Sequence, residues 1–523
     1  MEFMTENGDK AFATTGDACL DFFVRITRSA PLDDYINTFI KAWNENQESA
    51  LKLLYNLRDV RGGKGEKLIP VVIMFYLKLH LSTKDYELIL KQFLTFGCWK
   101  DLLKIAEIDM RLNNKLTNNI ELKLFANQLQ QDYDDVIKNN KAAISLCGKW
   151  APSEKLHFNK KPLKLVAQLM KLMKKTPKEY RLMLTTLRNH LHVLETLMAT
   201  NRCNDIDFSK ISSKAMLKHK NAFNRDCNSN NIVSTQRSQL KLNYEHYLSL
   251  LQKGETKVNV KGLQPHELIH DYNLNKELDI LIEEQWKTLK NDIQLSNVFR
   301  NTTAVVDVSG SMQGQPMEVA IALGILVAEC TKGPYYGQVI TFHENPTWHK
   351  LIGQTLKDQV YHLQQAPWGG STDMRKVFDL ILQHAIHSQC QPDECIKTLF
   401  IFTDMQFNQC DKTWQSAFEY AQKQFNTHGY TLPQVICWNL RTSTSKCFPT
   451  TKNEEGFVML SGFSSELLKC VLSGVTYTPL MMLNQVLSPY PTTTLNYELN
   501  KSLEGLEDAI HKSKIKKTYK KIK

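Results

Sequence analysis

The chain has 523 residues and a mass of 60.3 kDa, with 42% hydrophobic and 9% aromatic residues, enough for two to four cores at about 100 to 200 residues per domain. That composition excludes a disordered chain. The formal charge of +11 is unevenly spread: residues 1–300 carry 45 Lys and Arg against 35 Asp and Glu, residues 301–511 carry 13 against 19, and residues 512–523 hold seven lysines and no acid.

Twelve cysteines stand singly, without a CxxC pair or zinc-site spacing, so they are read as reduced and mostly packed thiols. The first residues, MEFMTENGDK, contain no apolar h-region and direct no secretion. The longest uncharged apolar run, Val319 to Ala328, falls far short of the roughly 20 residues of a membrane span. The expectation is an intracellular chain, cytoplasmic by default, with no membrane partner.

From residue 33 to 290 apolar residues recur at spacings of three and four, and β-branched alternation is scarce, which predicts helix after helix. Ile36, Phe39, Ile40 and Trp43 make one stripe; Leu182, Leu184, Leu187, Leu191, Leu194 and Leu197 with Met198 make another. Short breaks at Arg61 to Gly65, Ser82 to Asp85 and Thr176-Pro177 reverse the chain without acting as linkers. A stacked, HEAT-like helical array fits, although no clean repeat is visible. Asn224 to Ser238, rich in Asn and Ser, is read as a mobile loop.

Within this basic half, Arg58, Arg61, Lys64 and Lys67 surround three glycines, a grouping able to meet a phosphate through side chains and backbone amides. A glycine-capped turn between helices explains the same residues. Lys149 beside Trp150 could serve base stacking, with a packing anchor as the favoured reading of the indole. Trp99, with Leu102 and Leu103 on one helical face, is assigned to a core. His266 and His270 share a face at i, i+4, but no third ligand is visible and a capped helix start is preferred.

After Val298 the pattern changes. Thr302 to Val306, Gln338 to Phe342, Thr398 to Phe402 and Gln434 to Trp438 are short apolar, β-branched runs alternating with helical stretches, which predicts a parallel sheet covered on both faces, with its ligand site at the carboxyl ends of the strands. The first run leads into Asp307-Val-Ser309-Gly-Ser311-Met, and a helix follows from about Pro316. Two further strand ends supply Thr372, after Trp368-Gly-Gly-Ser, and Asp404, after Ile401-Phe-Thr. A carboxylate and hydroxyls gathered this way suit a hard cation. Asp373 is read as the N-cap of the next helix.

This pattern resembles the metal-ion-dependent adhesion site (MIDAS) of von Willebrand factor A (vWA) domains. The resemblance implies one divalent cation, Mg2+ first and Mn2+ or Ca2+ as alternatives, with Ser309, Ser311 and Thr372 as direct ligands and Asp307 and Asp404 acting largely through water. A partner's acidic group would complete the shell. An aspartate-nucleophile phosphatase would need a second acid where Ser309 stands, and no Ser-His-Asp, HExxH or Walker A pattern occurs, so no enzyme is expected. A metal-dependent phosphoester enzyme is the third-ranked reading.

Cys19 to Phe23, Arg58 to Lys67, Lys149 to Glu154, Tyr180 to Leu184, Ser213 to Met216, Pro265 to Leu268, Asp307 to Met312 and Thr403 to Phe407 together resemble an uncharacterised domain-of-unknown-function family with a C-terminal vWA-like domain, found in plants, fungi and giant viruses. If the chain is viral, packaging in the virion is open. More distantly, the layout is similar to the TROVE architecture of Ro ribonucleoproteins, which implies structured RNA on the basic helical half. The fold expected is α plus α/β, divided as an extension at 1–32, a basic helical-repeat domain at 33–298, a doubly wound, Rossmann-like vWA domain at 299–485 and a segment at 486–523 ending in the basic tail. Function is expected to be RNA binding with metal-dependent partner docking, or protein assembly without nucleic acid.

Overall fold

The computed structural model describes residues 2–4, 10–27, 31–113, 119–140, 143–154, 164–227, 232–274, 277–296, 299–342, 345–366, 373–391, 393–405, 417–441, 448–471 and 475–493. Thr372, part of the Asn224 to Ser238 stretch and the lysine tail lie outside them. The chain is rich in α-helix with one mixed six-stranded sheet in its C-terminal half, an α plus α/β architecture.

Two compact units divide it. One comprises Met1–Asn56, Arg61–Gly65 and Gly262–Thr492; the other comprises Leu57–Val60, Glu66–Lys261 and Thr493 onward. The division therefore does not fall at residue 298, as helical periodicity suggests. Periodicity reports helix, not which core the helix joins: Pro265–Leu274 and Ile280–Ser296 both pack on Gln315–Cys330, a helix of the α/β unit.

The sheet of the first unit contains β1 (Thr302–Asp307), β2 (Gln338–Phe342), β3 (Thr347–Lys350), β4 (Thr398–Thr403), β5 (Gln434–Asn439) and β6 (Phe457–Ser461). Their order is β6-β5-β4-β1-β2-β3, parallel throughout except for the antiparallel edge strand β3. Every residue of β1, β4 and β6 is buried, as a sheet covered on both faces requires. The chain runs outward from β1 to β3 and returns to β4 on the other side, so β1 and β4 flank the topological switch point.

Helix Gln315–Cys330 follows β1 and is buried from Val319 to Ala328. It meets β1 on one side and the helices Pro265–Leu274 and Ile280–Ser296 on another, which explains an apolar run too short for a membrane. Gly324 is required here, because a Cβ would lie 2.4 Å from Val306 Cγ2. Among the described residues no helix is long and apolar enough to cross a membrane.

The second unit is helical, from Ile69–His80 through Thr235–Gln252. Its interior holds charges as well as apolar side chains. Lys78 bridges Asp109 at 2.8 Å and Glu121 at 2.9 Å, and Tyr86 donates to Glu121 at 2.5 Å. Such a buried network persists because each member finds a partner.

Candidate metal centre

β1 delivers Asp307 to the carboxyl edge of the sheet, fully buried. One carboxylate oxygen accepts from the Ser309 N–H at 2.9 Å, a local turn that Asp favours over helix or strand. The other accepts from the Thr403 hydroxyl at 2.7 Å. Ser309 begins a tight turn, Gly310–Met312, which sets the Ser309 and Ser311 hydroxyls 3.0 Å apart. Ser309 is buried and Ser311 exposed, so the hydroxyl pair runs from the interior to the surface.

β4 ends at Thr403, immediately before the buried Asp404. Met405 follows with φ of +62°, a left-handed conformation that a side chain such as methionine rarely adopts. It turns the chain directly after the second acid. Because β1 and β4 are hydrogen-bonded neighbours, both acids and both hydroxyls lie along adjacent strand ends.

Burial pushes the Asp307 carboxyl up to about 6; the hydrogen bonds from Ser309 and Thr403 pull it down, and the charge of Asp404 pushes it further up. Two acids at one buried edge are a poor arrangement for anions alone and a good one for a cation. Among the described residues no three His, Cys, Asp or Glu side chains converge; the donor set here is two carboxylates and two hydroxyls, which is hard oxygen chemistry. Asp307 already accepts two hydrogen bonds, which suits a carboxylate acting through water. Thr372 lies outside the described residues. Thr403, whose hydroxyl ties the strand ends together, was not singled out in the sequence; its position directly before Asp404 was the available signal.

Asp373 caps the helix Met374–His387, accepting from Arg375 N at 3.0 Å. His266 and His270 face different partners: His266 Nε2 lies 3.1 Å from Gln315 Nε2, and His270 Nδ1 lies 2.8 Å from Glu318. The helix start is closed by Glu267, which accepts from Gln264 N at 3.0 Å.

Two cations of the glycine loop need correction as phosphate contacts. Arg58 is buried and pairs with Asp101 at 2.7 Å. Lys64 is buried, donating to the Phe23 carbonyl, to the Ile26 carbonyl at 3.1 Å and to Ser461 Oγ at 2.6 Å, with its ammonium 4.3 Å from the Phe23 ring. It satisfies carbonyls at the end of helix Ala18–Arg25, where the helix dipole favours a cation. The glycines serve the same loop: a Cβ on Gly63 would meet the Asn56 carbonyl oxygen at 2.0 Å, and Gly65 has φ of +70°. Arg61 and Lys67 are exposed and Lys149 is half-buried.

The geometry defines an α/β unit with an oxygen-rich edge and a helical unit, whereas two family models divide the chain at residues 298–301, where the helical periodicity ends, and not at the borders of the compact units. Residues 301–484 match a domain of unknown function (DUF7788), and residues 5–123 and 165–298 match another (DUF2828). Across nearly its whole length the chain is 56% identical, over 542 residues, to "Uncharacterized protein L728" of Acanthamoeba polyphaga mimivirus, covering 99% of this chain and 94% of that protein. The chain belongs to the family of that giant-virus protein.

Proposed function

We propose that this protein is a non-enzymatic, ribonucleoprotein-type factor in which a vWA-type domain docks an acidic partner through one divalent cation while the basic helical unit binds structured RNA. The observation that carries the docking half is the gathering of Asp307, Ser309 and Ser311 at the end of β1 beside Asp404 at the end of β4. The strand order, with β1 and β4 central and an antiparallel strand at one edge, supports the vWA assignment. Ser309, Ser311 and Thr372 would hold the cation directly, Asp307 and Asp404 through water. The cation, Mg2+ by donor type, supplies a coordination position that a partner's carboxylate or phosphate fills.

Charge supports the RNA half. Residues 164–261 carry 18 Lys and Arg against 7 Asp and Glu, a net of +11 that equals the formal charge of the whole chain. Lys171, Lys174, Lys178, Arg181, Lys218, Arg225, Lys253 and Lys257 among them are exposed, as a surface that releases counterions from a polyanion requires. The burial of Arg58 and Lys64 favours a second reading, a protein-assembly scaffold without nucleic acid, because it removes two cations from the glycine loop.

Purification from the native cell, with ultraviolet absorbance and sequencing of co-purified nucleic acid, separates the two readings. Co-purified RNA is expected, together with a partner released by chelator. A bare-protein spectrum with the partner still attached would favour the scaffold.

A further inference from the structure

Trp150 ends the short helix Cys147–Trp150 and is half-buried, whereas Cys147 and Gly148 are fully buried. The segment is held in place by groups other than the indole. The Cys147 thiol donates to the Phe125 carbonyl at 3.6 Å, and Arg188 donates to the carbonyls of Gly148 at 3.3 Å and Ala151 at 2.6 Å. Tyr180 donates to the Pro152 carbonyl at 2.8 Å, and a Cβ on Gly148 would meet Leu187 Cβ at 2.8 Å. Among the described residues the indole N–H makes no hydrogen bond. An aromatic ring on so rigid a mount, yet only half-buried, is available for more than packing.

Its surroundings are cationic. Lys100 Nζ lies over the Trp150 ring, 5.5 Å from its centroid, and Lys149 Nζ lies over it at 5.8 Å; neither lysine forms an ion pair among the described residues, so each can swing on its flexible stem to a phosphate. Burial lowers the pKa of His219, the charge of Glu195 opposes this, and Lys218 and Lys149 add smaller lowering effects. The helix Ser213–Phe223 carries Lys214, Lys218 and Asn221, with Arg225 beyond its end, at spacings of three and four along one face.

An acidic peptide would satisfy the lysines alone. What an anchored, half-buried indole adds is a π face, which attracts the lysine ammonium groups in the free protein and on which a nucleobase can stack once those groups move to the flanking phosphates. We propose that Trp150 is a stacking platform for an unpaired nucleobase, with Lys100 and Lys149 contacting the phosphates on either side, so that the helical unit takes a single-stranded segment of nucleic acid. This rests on the RNA reading above and names the part of the RNA that is recognised.

The test is fluorescence anisotropy of full-length protein with labelled oligouridine, oligothymidine and a blunt RNA duplex, over a range of salt. Trp150→Ala is expected to weaken single-strand binding by about 5- to 150-fold, the equivalent of about 1–3 kcal/mol per stacked base. Duplex affinity stays unchanged, and Trp150→Phe retains most single-strand binding. Lys100→Glu with Lys149→Glu is expected to reduce the salt slope by roughly 1 to 2. A loss with either oligomer supports the platform. Single-strand binding by a folded Trp150→Ala variant equal to wild type would overturn the platform while leaving RNA binding intact. No binding of any oligomer by the wild type would overturn both. Circular dichroism of each variant excludes unfolding, and Trp150→Phe with the lysine pair provides a readout if Trp150→Ala does not fold.

Discussion

Thr403 donates its hydroxyl to Asp307 at 2.7 Å while accepting from Met405 N at 3.2 Å, so one buried hydroxyl joins the carboxyl ends of β1 and β4. Thr403→Val keeps the shape and removes both bonds. It leaves a carboxylate oxygen and a backbone N–H without that partner, at a cost of about 1–3 kcal/mol. Urea denaturation should show this loss, and Thr403→Ser should recover most of it. A Thr403→Val protein as stable as wild type would mean that the two strand ends are held by something else.

Cation binding should appear as stability. Mg2+ at about a hundred times its Kd would stabilise the folded chain by about 2.7 kcal/mol, read as a rise in Tm that chelator reverses. Asp404→Ala should abolish that rise, because it removes one of the two carboxylates at the strand ends. An undiminished Mg2+ response in that variant would remove Asp404 from the site.

The ion pair of Arg58 with Asp101 leaves the two side chains only 6% and 7% exposed. Arg58→Ala would strand Asp101 and should cost about 3–5 kcal/mol. Arg181 with Glu154, where the arginine is 59% exposed, should contribute about 0–1 kcal/mol. Paired denaturation curves check the contrast. Charge reversal at Arg61 and Lys67, both exposed, is therefore the informative way to test the glycine loop for RNA.

The placement of Asp307 and Asp404 at neighbouring strand ends was legible in the sequence, because each acid terminates an apolar strand and its position follows from local pattern. DVSGS after TTAVV and TD after LFIF each carry their own context. The fate of the glycine-loop cations was not legible. Asp101 lies 43 residues from Arg58 and Ser461 lies 397 from Lys64, and nothing near either cation in sequence announces its partner. The helices Pro265–Leu274 and Ile280–Ser296 carry the same lesson: their periodicity shows a buried stripe but not the surface that buries it.

Gly324 brings helix Gln315–Cys330 against β1 behind the Asp307 turn. Gly324→Ala should push the helix from Val306 and cost about 1–3 kcal/mol, the range for an overpacked core. Val306→Ala alone opens a cavity and is also destabilising. The double variant should cost less than the two single costs together, since each change relieves the other. Strict additivity in thermal denaturation would mean that the two positions do not press on each other.

His349 on β3 and His362 share a 2.9 Å contact, His349 Nε2 to His362 Nδ1. Burial, and then the charge of His362, hold His349 below its ordinary value of 6.5. In the unfolded chain His349 takes up a proton near pH 6.5, whereas in the folded chain it does so only at lower pH. Its contribution is therefore fully present above about pH 6.5 and is lost as the pH falls through the folded value. Stability measured by urea denaturation should decline between pH 7.5 and pH 5, and His349→Gln should flatten that decline, since glutamine cannot charge. An identical slope in the variant would assign the acid sensitivity to groups other than this pair.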